Sequence, residues 1–213
     1  MKADLSLNWF DLVALVFIVV GVVVGRKRGM STELLVVLQW LTIVFLAALA
    51  TPPFGTMLAN LSGFSPVVTF ITAYLLAAIV IKVLFFAIKR MSGEKLVASD
   101  AFGGFEYYLG MTAGGIRFAC MLIFALALLN AKQISDKDLT VQRNEQMDSL
   151  GSIYFPPFGS IQRAIFRGSF TGRMVKEYLS AQLINVDPSA GSGPSRENIG
   201  QMRAREVNEI IGK

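Results

Sequence analysis

Three ionisable side chains stand inside apolar runs: Glu33 in GMSTELLVVL, Lys82 in AAIVIKVLFF and Arg117 in GGIRFACMLI. A charge in such surroundings meets a partner, lines a polar path, or reaches back to the headgroup layer. The chemistry these residues offer is thus an ion pair, a route for a solute, or an anchor. Glu106, just ahead of the last run, is a further candidate for the same cluster. No reaction chemistry accompanies them. The 213 residues include no histidine and a single cysteine, which excludes the usual zinc sets and every His-based triad, and no nucleophile paired with a base is visible. The expectation is a protein that is not an enzyme and holds no metal and no cofactor. Cys120, within an apolar run, reads as a small packing residue.

The elements that must position these charges follow from composition. Hydrophobic residues make up 54% of the chain and charged ones 16%, against roughly 25% charged in a soluble domain. Four segments, about 5–25, 30–50, 66–88 and 109–129, approach the roughly 20 residues that cross a bilayer as a helix. The first is the weakest, since its uninterrupted run Leu12 to Gly25 reaches only about 21 Å. Either Asp11 enters the membrane edge or that segment is half-inserted. Pro52 and Pro53 are expected to stop the second segment, leaving Thr51 to Ser65 as an uncharged loop. Ser65 and Pro66 read as the cap and first residue of the third, and Ser99 or Asp100 as a cap leading to the fourth. Gln39 suits an interhelical hydrogen bond and Trp40 the core.

Charge placement suggests an orientation. Arg26, Lys27 and Arg28 follow the first apolar run instead of preceding it, unlike a cleaved signal peptide. With four alternating helices they share one side with Lys89, Arg90 and Lys95, and short basic loops stay cytoplasmic. The fold class expected is an all-α membrane protein: a four-helix transmembrane bundle over residues 1–131, N-terminus and C-terminus both outside. An extramembrane, partly helical tail follows. In it, Ile161, Ile165, Phe170, Met174, Tyr178 and Leu179 recur at near-helical spacing, so 159–184 reads as one amphipathic helix within a segment 132–186. It would lie on the membrane or bundle, or belong to a small outer domain. Residues 187–213 open with the linker composition DPSAGSGPS and end in a short polar helix or disorder. The net charge of +5 is spread over both parts, which excludes a nucleic-acid-binding stripe.

Small residues supply the packing signal. Gly21, Gly25 and Gly29 are spaced i, i+4 and i+8, and Gly110 and Gly114 repeat the spacing later. Such strips let two backbones approach closely. Gly29 also suits the end of a helix whose last turn carries Arg26 to Arg28, and Glu33 suits the positive start of the next. A buried Glu33–Arg117 pair is the preferred arrangement, with Glu106 as the competing partner and Lys82 able to snorkel.

In this order the motifs resemble the colicin V production (CvpA) family. The match consists of Asp11 in NWFDLVAL, then Gly25, Arg28, Gly29 and Glu33 in GRKRGMSTE, then Gly110, Gly114 and Arg117 in LGMTAGGIR, and it covers roughly residues 8–130. The chain departs from the family pattern at Glu106, where aspartate is common, and at Phe118, where glycine is common; Gly115 is a candidate to compensate. The resemblance implies a multi-pass protein of the bacterial inner membrane, tied to production of a peptide toxin, with no established reaction. Some relatives carry a trypsin-like protease on the outer side, which a tail without histidine cannot be.

Two functions follow as expectations. One is a non-enzymatic scaffold or accessory factor of the cell envelope, bound to the lipid bilayer and to a membrane or envelope protein, with association between copies left open and no nucleic acid involved. The alternative is a small oligomeric channel or transporter component lined by Glu33, Lys82 and Arg117. A lipid-acting enzyme is remote, because Asp11 and Glu33 are expected near opposite faces.

Overall fold

The computed structural model describes residues 8–62, 64–92, 103–132 and 158–186. Every regular element among them is a helix. Helix α1, Trp9–Arg28, begins at Asn8, whose side chain accepts from the Trp9 N–H at 2.7 Å while its own N–H donates to Asp11 at 2.9 Å. This reciprocal cap draws Asp11 into the first turn, so α1 runs 20 residues, or about 30 Å, and is long enough to span. Arg26 to Arg28 lie in its last turn, not in a loop. Gly29 then turns the chain with φ 75°, a value side chains disfavour, and its N–H returns to the Gly25 carbonyl at 3.0 Å.

Helix α2, Met30–Thr42, therefore starts after a single connecting residue. It continues through a wider π turn, Ile43–Ala47, into α3, Ala48–Ser62. Contrary to expectation, Pro52 and Pro53 lie inside this helix and do not stop it. Proline removes two backbone donors, but a helix in lipid survives where hydroxyls, π turns and neighbouring helices satisfy the freed groups. Here the carbonyls freed are those of Ala48 and Leu49, directly after the π turn Ile43–Ala47; the Thr51 hydroxyl donates to the adjacent Ala47 carbonyl at 2.6 Å, and Thr56 to the carbonyls of Pro52 and Pro53 themselves at 3.1 and 3.0 Å. Gly55 also rests on the Phe70 ring of α4, Pro66–Ser92, tying the segment beyond the prolines to the bundle. What reads as a loop from Thr51 is thus helix to Ser62, and the second span measures 33 residues, Met30–Ser62. Pro66 opens α4, with the Ser65 carbonyl accepting from the Thr69 N–H at 3.2 Å.

A short 3-10 turn, Gly103–Phe105, leads into α5, Glu106–Asn130, whose N-terminus has no side-chain cap. Lys95, Ser99 and Asp100 lie outside the described residues, as do 187–213 with their expected linker and final helix. Among the described residues, four segments are long and apolar enough to cross a membrane: Trp9–Arg28, Met30–Ser62, Pro66–Met91 and Gly103–Asn130. Their directions alternate. Gly21 and Gly25 of α1 meet Gly114 and Gly110 of α5 in reversed order, whereas Glu33 and Trp40 of α2 meet Arg117 and Phe124 of α5 in the same order. At most 33% of any span is buried, so most of Leu12, Val16, Val20, Leu76, Val80 and their like face outward, as lipid requires. The chain is an all-α, multi-pass membrane protein.

Among the described residues of the tail, the stretch expected to be one helix is two: α6, Phe158–Phe166, and α7, Phe170–Tyr178, followed by a 3-10 turn, Ser180–Gln182. Gly168 and Ser169 break the run. The Ser169 hydroxyl donates to the Ile165 carbonyl at 2.7 Å and accepts from the Gly172 N–H at 2.9 Å, closing α6 and opening α7 in one residue. Ile165, Phe166, Val175, Leu183 and Ile184 join one core with Phe10, Ala14, Leu126, Ala127 and Ala131. Of the face read from the sequence, Ile161, Ile165 and Leu179 lie in or against this core, whereas Phe170, Met174 and Tyr178 remain exposed, because the break turns α7 so that Val175 takes the inward position.

Candidate functional site

Glu33 sits one turn into α2 and has no exposed surface. Arg117 of α5 donates from Nη1 to both its carboxylate oxygens at 3.0 Å, and Nη1 of the half-exposed Arg28 reaches Oε1 at 3.3 Å. Helical side chains lean toward their own N-terminus, and α2 and α5 run parallel, so both residues lean toward the same end of the bundle and converge. The node joins α1, α2 and α5 and holds two cations against one carboxylate. The Arg117 Nε is buried with no hydrogen-bond partner among the described residues, and its guanidinium carbon lies 5.6 Å from the centre of the Phe118 ring.

The glycine seam brings the helices close enough for this contact. A Cβ on Gly25 would collide with the Gly110 carbonyl and sit 2.8 Å from the Gly114 Cα; one on Gly21 would sit 2.7 Å from Phe118. Phe118 thus occupies the bare face of Gly21 and packs on Phe17 with ring centres 4.8 Å apart. Gly115, the candidate compensator, stands off this seam, with only Val22 near it at 3.3 Å.

Among the remaining candidates, Glu106 lies over Gly29, 2.7 Å from where a Cβ would project, and not on Arg117. Lys82 is exposed on α4 and has no ion pair among the described residues. It does not join the cluster, because its neighbour Ile81 takes the inward position. Trp40 meets Phe124 edge-on at 5.9 Å, and Tyr74 stacks on the same ring at 5.2 Å. Gln39 is half-buried and Cys120 is buried.

The opposite end of the bundle carries a second polar cluster that sequence reasoning missed. Asp11, besides capping α1, accepts from the Phe170 and Thr171 N–H groups of α7 at 3.1 and 2.7 Å. A carboxylate on two orphan donors at a helix N-terminus is a strong arrangement. Asn8 donates to the Ala164 carbonyl of α6 at 3.0 Å. Asn130 donates to the Ile184 carbonyl at 3.1 Å, and Gln162 to the Leu129 and Lys132 carbonyls at 3.0 and 2.8 Å, finishing α5. The local signals were a serine before Phe170 and an asparagine ending an apolar run, yet neither states its partner. Neither cluster resembles a metal site, and among the described residues no group of histidine, cysteine or carboxylates could hold one.

The arrangement of a glycine-zipped α1–α5 pair, an Arg–Glu node and an acid at the head of α1 can be set beside known proteins. No curated protein and no solved structure matches the chain. A family model described as Colicin V production protein matches residues 10–154, which takes in all four spans and extends past Ala131, where the motifs of the sequence end. With more than half its length matched, and with the node, the seam and Asp11 all inside the matched region, the chain belongs to the colicin V production protein family.

Proposed function

We propose that this protein is a non-enzymatic scaffold or accessory factor of the bacterial inner membrane, presenting one rigid surface to a membrane or envelope protein. Membership in its family links it to colicin V production. The observation that supports the scaffold reading is the fate of the intramembrane charges. Glu33 is wholly buried and held directly by Arg117, while Lys82 points away. Such a node fixes helices in place and lines no path. The latched tail extends the same rigid body. Orientation with both ends outside is supported by Arg26, Lys27, Arg28, Lys89 and Arg90, all at the bundle end opposite the tail.

The alternative, a small oligomeric channel or transporter component, draws on one observation, the buried Nε of Arg117, which has no hydrogen-bond partner among the described residues and would gain one if a polar path opened beside it. Purified protein in liposomes decides between them. The scaffold reading expects no more ion or small-solute flux than empty liposomes, together with discrete photocrosslinked adducts in cells from probes at Arg167, Lys176 or Tyr178. Flux that Arg117→Ala abolishes would replace it with the transport reading.

A further inference from the structure

We propose that the cleft between the last turn of α1 and the first turns of α5 binds the phosphate headgroup of an anionic phospholipid. The cleft has a volume of 740 Å³ and is lined by Val23, Arg26, Lys27, Tyr107, Tyr108 and Met111. It opens beside the glycine seam, where Gly25 and Gly110 let the two backbones touch. The three consecutive basic residues of α1 divide their work. Arg28 turns inward to Glu33, whereas Arg26 and Lys27 have no carboxylate partner among the described residues and face the cleft. Glu106, a nearby acid, is held over Gly29.

Two basic residues and two tyrosines are among the residues lining the cleft, and the guanidinium, ammonium and phenol groups they carry are donors toward a phosphodiester. Val23 and Met111 supply apolar walls for the glycerol and the upper acyl chain, which a free phosphate would leave unused. Both turns end membrane spans, so the cleft lies at headgroup depth whichever way the protein is oriented. Basic and aromatic residues at span ends also act as general anchors. Lys89 and Arg90, exposed in the last turn of α4 and outside this cleft, are that kind of anchor and supply the control.

The test is lipid retention by the full-length protein, measured by native mass spectrometry from micelles doped with phosphatidylglycerol or phosphatidylcholine. Phosphatidylglycerol is retained in preference. Arg26→Gln with Lys27→Gln lowers its retention roughly tenfold or more, and Lys89→Gln with Arg90→Gln changes it less than about twofold. Millimolar inorganic phosphate does not displace it. Equal losses in the two double variants, equal retention of phosphatidylcholine, or displacement by phosphate would each overturn the proposal. Should the first double variant misfold, Tyr107→Phe with Tyr108→Phe keeps the rings and removes the hydroxyls; unchanged preference for phosphatidylglycerol in that protein also overturns it.

Discussion

Arg117 Nη1 lies 3.0 Å from each oxygen of the fully buried Glu33 carboxylate. The pair crosses from α5 to α2 with no water-exposed surface on the acid, so its two halves are not equivalent to a surface ion pair. Removing one partner of a buried pair leaves the other charge stranded, which typically costs about 3–5 kcal/mol. Arg117→Leu and Glu33→Gln are both expected to lose stability on that scale in detergent unfolding. Arg28→Leu, at the half-exposed edge of the node, should lose less than about 1 kcal/mol. A similar loss at Arg28 and Arg117 would mean that the node is not organised as the distances indicate.

The seam makes a size-ordered prediction. Gly25→Leu and Gly114→Leu place side chains against a facing backbone and should separate α1 from α5, reducing folded yield in membranes. Gly115→Ala meets only one Val22 methyl, 3.3 Å away, with no facing backbone, and should stay within about 0.5 kcal/mol of the parent. Cysteine crosslinking between positions 22 and 115 in the Gly25→Leu and Gly114→Leu proteins reads out the helix spacing, and folded yield reads out Gly115→Ala.

At the other end, Asp11→Ala removes the acceptor for two α7 amides and for Asn8. Cap loss of this kind costs about 1–2 kcal/mol. Hydrogen exchange at the Phe170 and Thr171 amides should quicken more than tenfold if closure depends on that cap, and proteolysis between α6 and α7 should become easier. Unchanged protection at those amides would show that the apolar contacts of Ile165 and Ile184 hold the tail alone.

Lys82→Ala is expected to leave both folding and complementation of toxin production intact, because the side chain is exposed and has no ion pair among the described residues. Loss of activity in a folded Lys82→Ala protein would favour a transport route or a partner bound along α4.

How much of this was legible varied with the range of the interaction. Four apolar runs, the stop at Gly29 and the family motifs are local patterns, and they could be named without coordinates. Pro52 and Pro53 misled, since their effect on a helix depends on the π turn that precedes the freed carbonyls and on the packing of Gly55 against Phe70 of α4, neither of which the proline rule contains. The break at Gly168 and Ser169 was hidden because both halves of the tail keep one apolar periodicity across it.

Read alone, the residues determined that this chain must live in lipid and cross it several times, because burying so few charges among so many apolar side chains has no other stable solvent. They also marked Glu33, Lys82 and Arg117 as costly. Only tertiary structure decided that Glu33 and Arg117 meet while Lys82 turns outward, and that Asp11 grips a helix 159 residues away. Those outcomes depend on which helix faces are brought together in space, and periodicity along one segment carries no information about the face it will meet.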